Sequence, residues 1–164
     1  MTESKAIELA KAHADTWGVP WVQIKKIKKD RDWWYFSVAW YNFEIDTGDG
    51  EAFAIIDSQT ATVNRFEYYP REKKFLLPLW AAYPTYNSVT SGWRQGYGEE
   101  YKYEWHSFYQ SMSEDDRAEY KRKFPPPDDE ELCWHGFYDL IADTPADDKH
   151  SVAEFIIGRV PEGS

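Results

Sequence analysis

The sequence predicts an α+β fold in which an N-terminal helix packs on an antiparallel β-meander and a mainly helical C-terminal part follows. Residues 32–69 contain three apolar runs separated by two turn-like clusters, which is the pattern of a meander. An apolar stripe at helical spacing precedes these runs, and aromatic residues recur at helical spacing in residues 99–112. We therefore expect a single domain, with helix plus meander in residues 1–70 and a helical annex with an acidic C-terminal segment in residues 71–164.

The first helix and the first strand have recognisable signals. Thr2 or Ser4 is placed to cap the helix, and Gly18 is placed to end it in a left-handed conformation. The apolar stripe of this helix consists of Ile7, Ala10, Ala14 and Trp17. Residues 21–29 predict a strand whose alternation breaks between residues 24 and 27, which indicates a bulge or a strand end. Its four lysines are typical of an edge strand protected against pairing with other chains.

The meander is predicted from three strands and two connections. Residues 33–43 are almost all aromatic or small and apolar, and residues 52–56 have the length of a buried strand. Residues 63–69 alternate between apolar and charged side chains. Acids and glycines in residues 44–50 predict a loop, and residues 57–60 predict a tight turn.

The part after the sheet is predicted to be helical. Residues 72–77 predict a short helix that Pro78 should end or kink. A glycine-containing loop at residues 86–98 leads into the helix at 99–112, whose apolar stripe is Tyr101, Trp105, Phe108, Tyr109 and Met112. Ser113 is placed to cap a further helix, which a run of three prolines stops.

Composition and charge favour a protein partner. The chain has nine Trp, twelve Tyr and nine Phe, so we expect some of these rings on a contact surface. Its formal net charge is −10, and from residue 128 onward only Lys149 and Arg159 oppose ten acidic residues. Such a charge repels nucleic acid and anionic membranes and attracts basic partners. The alternative is that the charge only keeps an aromatic-rich protein in solution.

The sequence also indicates a cytoplasmic location. Cys133 is the single cysteine, which excludes an internal disulfide and fits a reducing compartment. The N-terminus lacks a basic region followed by an apolar one, and no stretch reaches the length of a membrane span.

No set of residues predicts catalysis, a cofactor or a metal. Cys133 and His135 form only half of a metal-binding motif, and His106 and His150 would have to approach from distant positions. The apolar neighbours of Cys133 favour an inert, buried thiol. The glycine-containing loop lacks the Lys-Ser/Thr pair of a phosphate loop.

The most specific pattern in the chain lies at residues 50–63, GEAFAIIDSQTATV. A glycine opens a strand that ends in Asp57, and a turn and a valine follow; an aromatic strand at residues 32–36 and a helix precede them. This arrangement resembles the immunity protein 35 family over roughly the first 70 residues. The sequence departs from the family pattern at Phe53 and Ala61, where proline and the turn glycine are expected.

The resemblance implies a cytoplasmic immunity protein of a bacterial polymorphic toxin system, an antitoxin encoded beside its toxin. Such a protein is a toxin inhibitor that acts by protein–protein interaction and has no catalytic residue. We expect it to occlude the active site of a cognate, basic toxin through an acidic, aromatic-rich surface. The candidate toxin-binding residues are Asp46, Asp49, Glu51, Trp93, Tyr97, Asp128, Asp129, Glu130 and Glu131.

Two other kinds of function are compatible with the sequence. The aromatic residues would also suit a small enzyme or a ligand-binding domain with an aromatic cleft, for example for carbohydrate. In that case a histidine or Cys133 should meet a carboxylate in a deep pocket. A structural interaction module unrelated to toxins is a third alternative. Trp93 either faces a partner or folds back onto the core.

Overall fold

The computed structural model describes residues 1–19, 23–42, 47–70 and 76–142, and within these ranges the side chains at 23–26, 36–42, 47–51, 70 and 141–142 are not described. The chain divides into two compact units, an N-terminal unit, Met1–Thr85, and a C-terminal unit, Tyr86–Ser164. The predicted fold class is confirmed, because a helix, a four-stranded antiparallel sheet and a mainly helical part follow one another. The organisation as a single domain stays a prediction.

The N-terminal unit contains α1 (Glu3–Thr16), β1 (Gln23–Asp30), β2 (Trp33–Asn42), β3 (Thr47–Asp57), β4 (Thr62–Pro70) and α2 (Leu79–Ala82). The C-terminal unit contains a 3₁₀-helix (Ser91–Arg94), α3 (Gly96–Gln110), α4 (Glu114–Lys123) and α5 (Phe137–Ala142). Within the described part of the chain, no helix combines the length and the apolar character needed to cross a membrane.

Helix α1 presents a face of small side chains to the sheet. Thr2 caps it, because its hydroxyl oxygen accepts a hydrogen bond from the backbone N–H of Lys5 at 3.3 Å. The fully buried residues of the helix are Ala6, Ala10 and Ala14. Side chains this small let the helix backbone approach β3 and β4, with which α1 is in contact. Gly18 follows in a left-handed conformation (φ 65°), as predicted.

The sheet has the strand order β1-β2-β3-β4, with every neighbouring pair antiparallel. Its buried face is formed by alternate residues, as the pleat requires. On this face lie Trp34, Ala52, Ala54, Ile56, Phe66 and Tyr68, each less than a tenth exposed. The register of β1 shifts between Ile24 and Lys26, which confirms the predicted irregularity.

The connection between β3 and β4 is the predicted tight turn. Asp57 accepts hydrogen bonds on Oδ1 from the backbone N–H groups of Gln59 (2.8 Å) and Thr60 (3.3 Å). These bonds favour the charged carboxylate and hold the pKa of Asp57 below its usual range. Ala61 completes the turn with a φ of 55°, a conformation that normally favours glycine.

Two predicted boundaries are wrong. Residues 47–50 are not a loop, because β3 begins at Thr47 and pairs with β2 from there, with Thr47 opposite Asn42. Pro78 does not end a helix at Leu77 either: it is the N-cap of α2, and Leu76 and Leu77 before it are buried and non-helical. Proline fits this position because a helix start leaves its first N–H groups without partners. Residues 72–75 of the predicted helix lie outside the described residues.

The face of β4 opposite Phe66 buries a charged side chain. Glu67 is only 3% exposed. Its Oε1 accepts a hydrogen bond from Arg65 Nε (2.7 Å), and its Oε2 accepts bonds from Arg65 Nη2 (2.8 Å) and the Tyr69 hydroxyl (2.9 Å). The hydroxyl of Tyr83 also donates to Glu67 Oε1. Burial and the neighbouring Glu67 charge raise the pKa of Tyr83, which therefore stays a neutral donor.

The C-terminal unit is built around aromatic rings. The predicted stripe of α3 is largely confirmed, because Tyr101, Trp105, Phe108 and Tyr109 are buried. Trp105 stacks on Tyr109 with 5.1 Å between ring centroids, and its Nε1–H donates to the hydroxyl of Tyr120 on α4 at 2.9 Å. Helix α4 begins at the predicted cap, where Ser113 Oγ accepts from the backbone N–H of Asp116 (3.1 Å).

Candidate functional site

Three of the predicted toxin-binding residues, Asp46, Asp49 and Glu51, belong to the meander, and the structure describes only the backbone of two of them. Asp46 lies outside the described residues. Asp49 and Glu51 belong to β3 rather than to a loop, and their side chains are not described. Glu51 pairs with Ala39 on β2 and with Tyr69 on β4, so its backbone lies between two neighbouring strands. The predicted loop at residues 44–50 is therefore wrong at Asp49, and Glu51, a predicted contact of the same segment, also lies in the strand.

Trp93 is not presented to a partner but packs inside the C-terminal unit. Its exposed fraction is 0%, and its ring contacts Tyr86 (centroids 5.2 Å apart) and Trp134 (5.9 Å). Its indole N–H donates to the carbonyl of Asn87 at 2.8 Å. The alternative that Trp93 folds back onto the core is the correct one, because these aromatic neighbours remove the ring from water.

Two residues of α3, Lys102 and Tyr97, differ sharply in burial. The buried Lys102 donates from Nζ to the carbonyl oxygen of Trp93 at 2.6 Å. Burial lowers the pKa of Lys102 below its ordinary value. Tyr97, in contrast, is 67% exposed at the start of α3. Of the two predicted contact residues Trp93 and Tyr97, Tyr97 is therefore the one that is accessible to a partner.

The predicted acidic run is confirmed as exposed surface. Each of the residues Asp128, Asp129, Glu130 and Glu131 is exposed. Asp129 organises the run as a turn, since its Oδ1 accepts from the backbone N–H of Glu131 at 2.9 Å. The exposed carboxylates of this run lie close together in the chain and form a negatively charged patch.

A groove of about 440 Å³ begins at this run; we call it the acidic groove. It is lined by Lys121, by residues 125–128 and by residues 135–139. Asp128 and Asp139 supply exposed carboxylates, and His135 is also exposed, whereas the rings of Phe137 and Tyr138 are buried to 4% and 5% exposure. The groove therefore combines an apolar base with carboxylates near the solvent, a combination suited to binding an amphipathic or cationic group.

Cys133 is exposed, which contradicts the prediction of a buried thiol. Its backbone has a φ of 55°, and its thiol donates to the carbonyl oxygen of Glu130 at 3.2 Å. Sequence neighbours misled the prediction, because Trp134 turns into the core while Cys133 turns outward.

Of the other candidate metal ligands, His106 and His135 lie within the described residues and His150 lies outside them. His106 on α3 is buried, its Nε2 has no hydrogen-bond partner within the part of the chain that the structure describes, and burial lowers its pKa. Among the described residues, no group of three or more His, Cys, Asp or Glu side chains could hold a metal ion.

Sequence reasoning identified Asp128 but did not bring Lys121, His135 and Asp139 to the same site. A signal for this arrangement was present: the prolines stop α4, and Gly136, with a φ of 71°, turns the chain before α5. Comparisons with known protein families, curated proteins and solved structures found no match to this chain.

Proposed function

We propose that this chain is a cytoplasmic immunity protein that binds a basic, cognate bacterial toxin and neutralises it by covering the toxin's active site. The observation that carries the proposal is the acidic groove with the exposed run Asp128, Asp129, Glu130 and Glu131 beside it. Carboxylates that stand free at the surface attract a basic protein and orient it before contact.

The family resemblance supports the same function. It covers a helix, an aromatic strand and a hairpin, and in this chain these are α1, β2 and the pair β3–β4. The turn aspartate of the pattern, Asp57, organises that hairpin through its two backbone hydrogen bonds. A toxin inhibitor needs a stable surface rather than a reaction centre, and a rigid scaffold of this kind supplies one.

The direct test is co-expression with the product of the neighbouring toxin gene in a bacterial host. We expect the chain to restore growth and to co-purify with the toxin. A variant that neutralises the exposed run (Asp128→Asn, Asp129→Asn, Glu130→Gln and Glu131→Gln) should lose most of the affinity.

A matched control removes the same charge elsewhere. Its substitutions are Glu3→Gln, Asp15→Asn, Glu100→Gln and Glu104→Gln, all at exposed positions. This control should keep protecting the host. If the unmodified chain neither protects nor forms a complex, the proposed function is wrong. If the two variants behave alike, the contact surface lies elsewhere.

One observation favours a second candidate function, the binding of a small ligand such as a carbohydrate. His135 lines the same groove as Asp128 and Asp139, and the volume of about 440 Å³ falls in the range of ligand sites. Saturation-transfer NMR with neutral oligosaccharides tests this alternative. Binding of an oligosaccharide that His135→Gln abolishes would favour it over toxin inhibition.

A further inference from the structure

The acidic groove is preformed. The prolines at 125–127 fix their own backbone φ angles and make one wall stiff. Tyr138 is held because its hydroxyl donates to the carbonyl oxygen of Phe124 at 2.8 Å, and Phe124 is itself only 1% exposed. When a ligand enters such a groove, few protein side chains have to become ordered. The entropy lost on binding is therefore smaller.

The chain already places a cation of its own in this groove. Lys121, in the last turn of α4, holds its ammonium nitrogen 5.7 Å from the centre of the Tyr138 ring. This distance is within cation–π range, where the electron-rich face of an aromatic ring attracts a positive charge. The Lys121 stem is flexible and its ammonium is readily hydrated, so it can leave the ring for water.

We propose that the acidic groove binds an arginine side chain of the basic partner protein. The guanidinium replaces the Lys121 ammonium at Tyr138 and forms hydrogen bonds with the carboxylates of Asp128 and Asp139. Arginine fits better than lysine, because its planar group stacks on aromatic rings, pairs with carboxylates through two N–H groups and is more weakly hydrated. The inference rests on the proposed function, which supplies the basic partner.

The arrangement makes Lys121 a competitor of the ligand. Removing its charge should therefore tighten binding, whereas removing the carboxylates should weaken it. General attraction between an acidic protein and a cation does not predict a special effect of Lys121, since any lysine of the chain would then count alike.

The test is an NMR titration of the full chain with the peptide acetyl-Gly-Arg-Gly-amide and its citrulline counterpart, which has the same shape but no charge. We expect the arginine peptide to shift the amide signals of residues 135–139 and the citrulline peptide to leave them nearly unchanged. The double variant Asp128→Asn, Asp139→Asn should weaken binding about tenfold, the effect of losing charge-assisted hydrogen bonds. Lys121→Gln should tighten it roughly threefold by removing the cation–π competitor.

Lys11→Gln is the matched control for Lys121→Gln, because it removes one exposed positive charge from α1. It should leave the affinity unchanged, and the unbound spectrum of each variant shows whether it is folded. Equal shifts with both peptides, or a Lys121→Gln variant that behaves like the control, would overturn the inference.

The same variants separate this inference from the proposed function. If the peptide does not bind but the chain still protects against the toxin, the arginine site is wrong and the proposed function stands. If the peptide binds in the groove but no toxin complex forms, the arginine site stands and its assignment to a toxin is wrong.

Discussion

At the scale of single residues, Glu67 shows what a buried charge requires in this chain. Its carboxylate is almost fully removed from water, but it accepts hydrogen bonds from the Arg65 guanidinium and from the hydroxyls of Tyr69 and Tyr83. A buried carboxylate is tolerated only when a partner charge and hydrogen bonds replace its hydration. The network also ties Tyr83, which follows α2, to strand β4.

We expect Glu67→Gln to lower the free energy of unfolding by about 3 kcal/mol, because it removes the negative charge that the Arg65 guanidinium contacts through two hydrogen bonds. The Arg65 side chain is 15% exposed, so water replaces the lost partner only in part. Urea unfolding followed by circular dichroism measures the change.

The control for this variant is Glu119→Gln, which breaks the pair between Glu119 and Arg122 at the surface. Both side chains of that pair are more than half exposed, and exposed pairs contribute little. A loss of stability as large in the control as in Glu67→Gln would contradict the account of a buried network.

Ala61 is a second residue with a testable effect on stability, because its backbone conformation is strained. Its φ of 55° lies in the left-handed region of backbone conformation, which L-residues avoid because Cβ comes too close to the following carbonyl oxygen. We expect Ala61→Gly to raise the free energy of unfolding by about 0.5 to 1 kcal/mol, since relief of this strain exceeds the added freedom of glycine in the unfolded chain. Thermal and urea unfolding measure it.

Ser58→Gly in the same turn is the matched control. Ser58 is not among the residues with positive φ, so glycine there should destabilise by adding freedom to the unfolded chain. If both substitutions destabilise, Ala61 is not strained.

At the scale of elements, His13 connects α1 with α2. Its Nε2–H donates to the carbonyl oxygen of Ala81 at 2.8 Å, and its ring packs edge-on against Phe66 (centroids 5.1 Å apart) and Trp17 (6.4 Å). Burial lowers the pKa of His13 in the folded protein below its ordinary value of 6.5. The neutral imidazole is therefore the form that the packing favours.

This pKa shift predicts the direction of a pH dependence. Below pH 6.5 the unfolded chain takes up the proton first, so stability falls with decreasing pH until the folded-state pKa is passed. His13→Gln should show a smaller loss of stability between about pH 7.5 and about pH 5 than the unmodified chain, because it no longer has this titrating group. His106, whose pKa burial also lowers, contributes a loss of the same sign that remains in the variant.

The measurement is the free energy of unfolding in urea at each pH. If His13→Gln keeps the full dependence, the buried imidazole does not contribute to it.

The junction of the 3₁₀-helix with α3 depends on two glycines in close contact. A Cβ atom at Gly98 would lie 2.4 Å from the carbonyl oxygen of Gly92. This is a steric clash, and one of the two backbone segments would have to move to remove it. We expect Gly98→Ala to destabilise the protein by about 1 to 3 kcal/mol, the range for overpacking a filled interior. Urea unfolding measures the loss.

Glu100→Ala is the control in the same helix, since Glu100 is exposed and alanine is a good helix former. It should be close to neutral. A stable Gly98→Ala variant would show that the approach of the two backbone segments is not required.

At the scale of the whole molecule, the formal net charge is −10, which attracts positively charged molecules. If the partner is the basic toxin proposed above, we expect the association rate to fall as sodium chloride rises from about 50 mM to about 500 mM, because salt shortens the range of the attraction. Stopped-flow or surface-based kinetics measures both rates, and the dissociation rate should change much less. An association rate independent of salt would contradict electrostatic steering.

Much of the fold was predictable from local sequence. The cap Ser113, the left-handed Gly18 and the Asp57 turn were identified from residue type and position, and each forms the expected hydrogen bond or backbone conformation. For the first helix the sequence offered Thr2 or Ser4, and Thr2 is the residue that caps it. The helical stripe of α3 was found in the same way. Such features are decided by residues within a few positions of one another, so the sequence alone contains the information.

The candidate site was predictable only in part, because burial depends on residues far apart in the chain. The exposed acidic run was found from its charge, but Trp93 is buried by Trp134 and Glu67 by Tyr83, partners that local patterns do not reveal. The sequence by itself determined the fold class, most of the helices and strands, and the sign of the charge. The tertiary structure alone decided which rings and charges face water and that residues 121, 125–128 and 135–139 form one groove, since packing brings distant residues together.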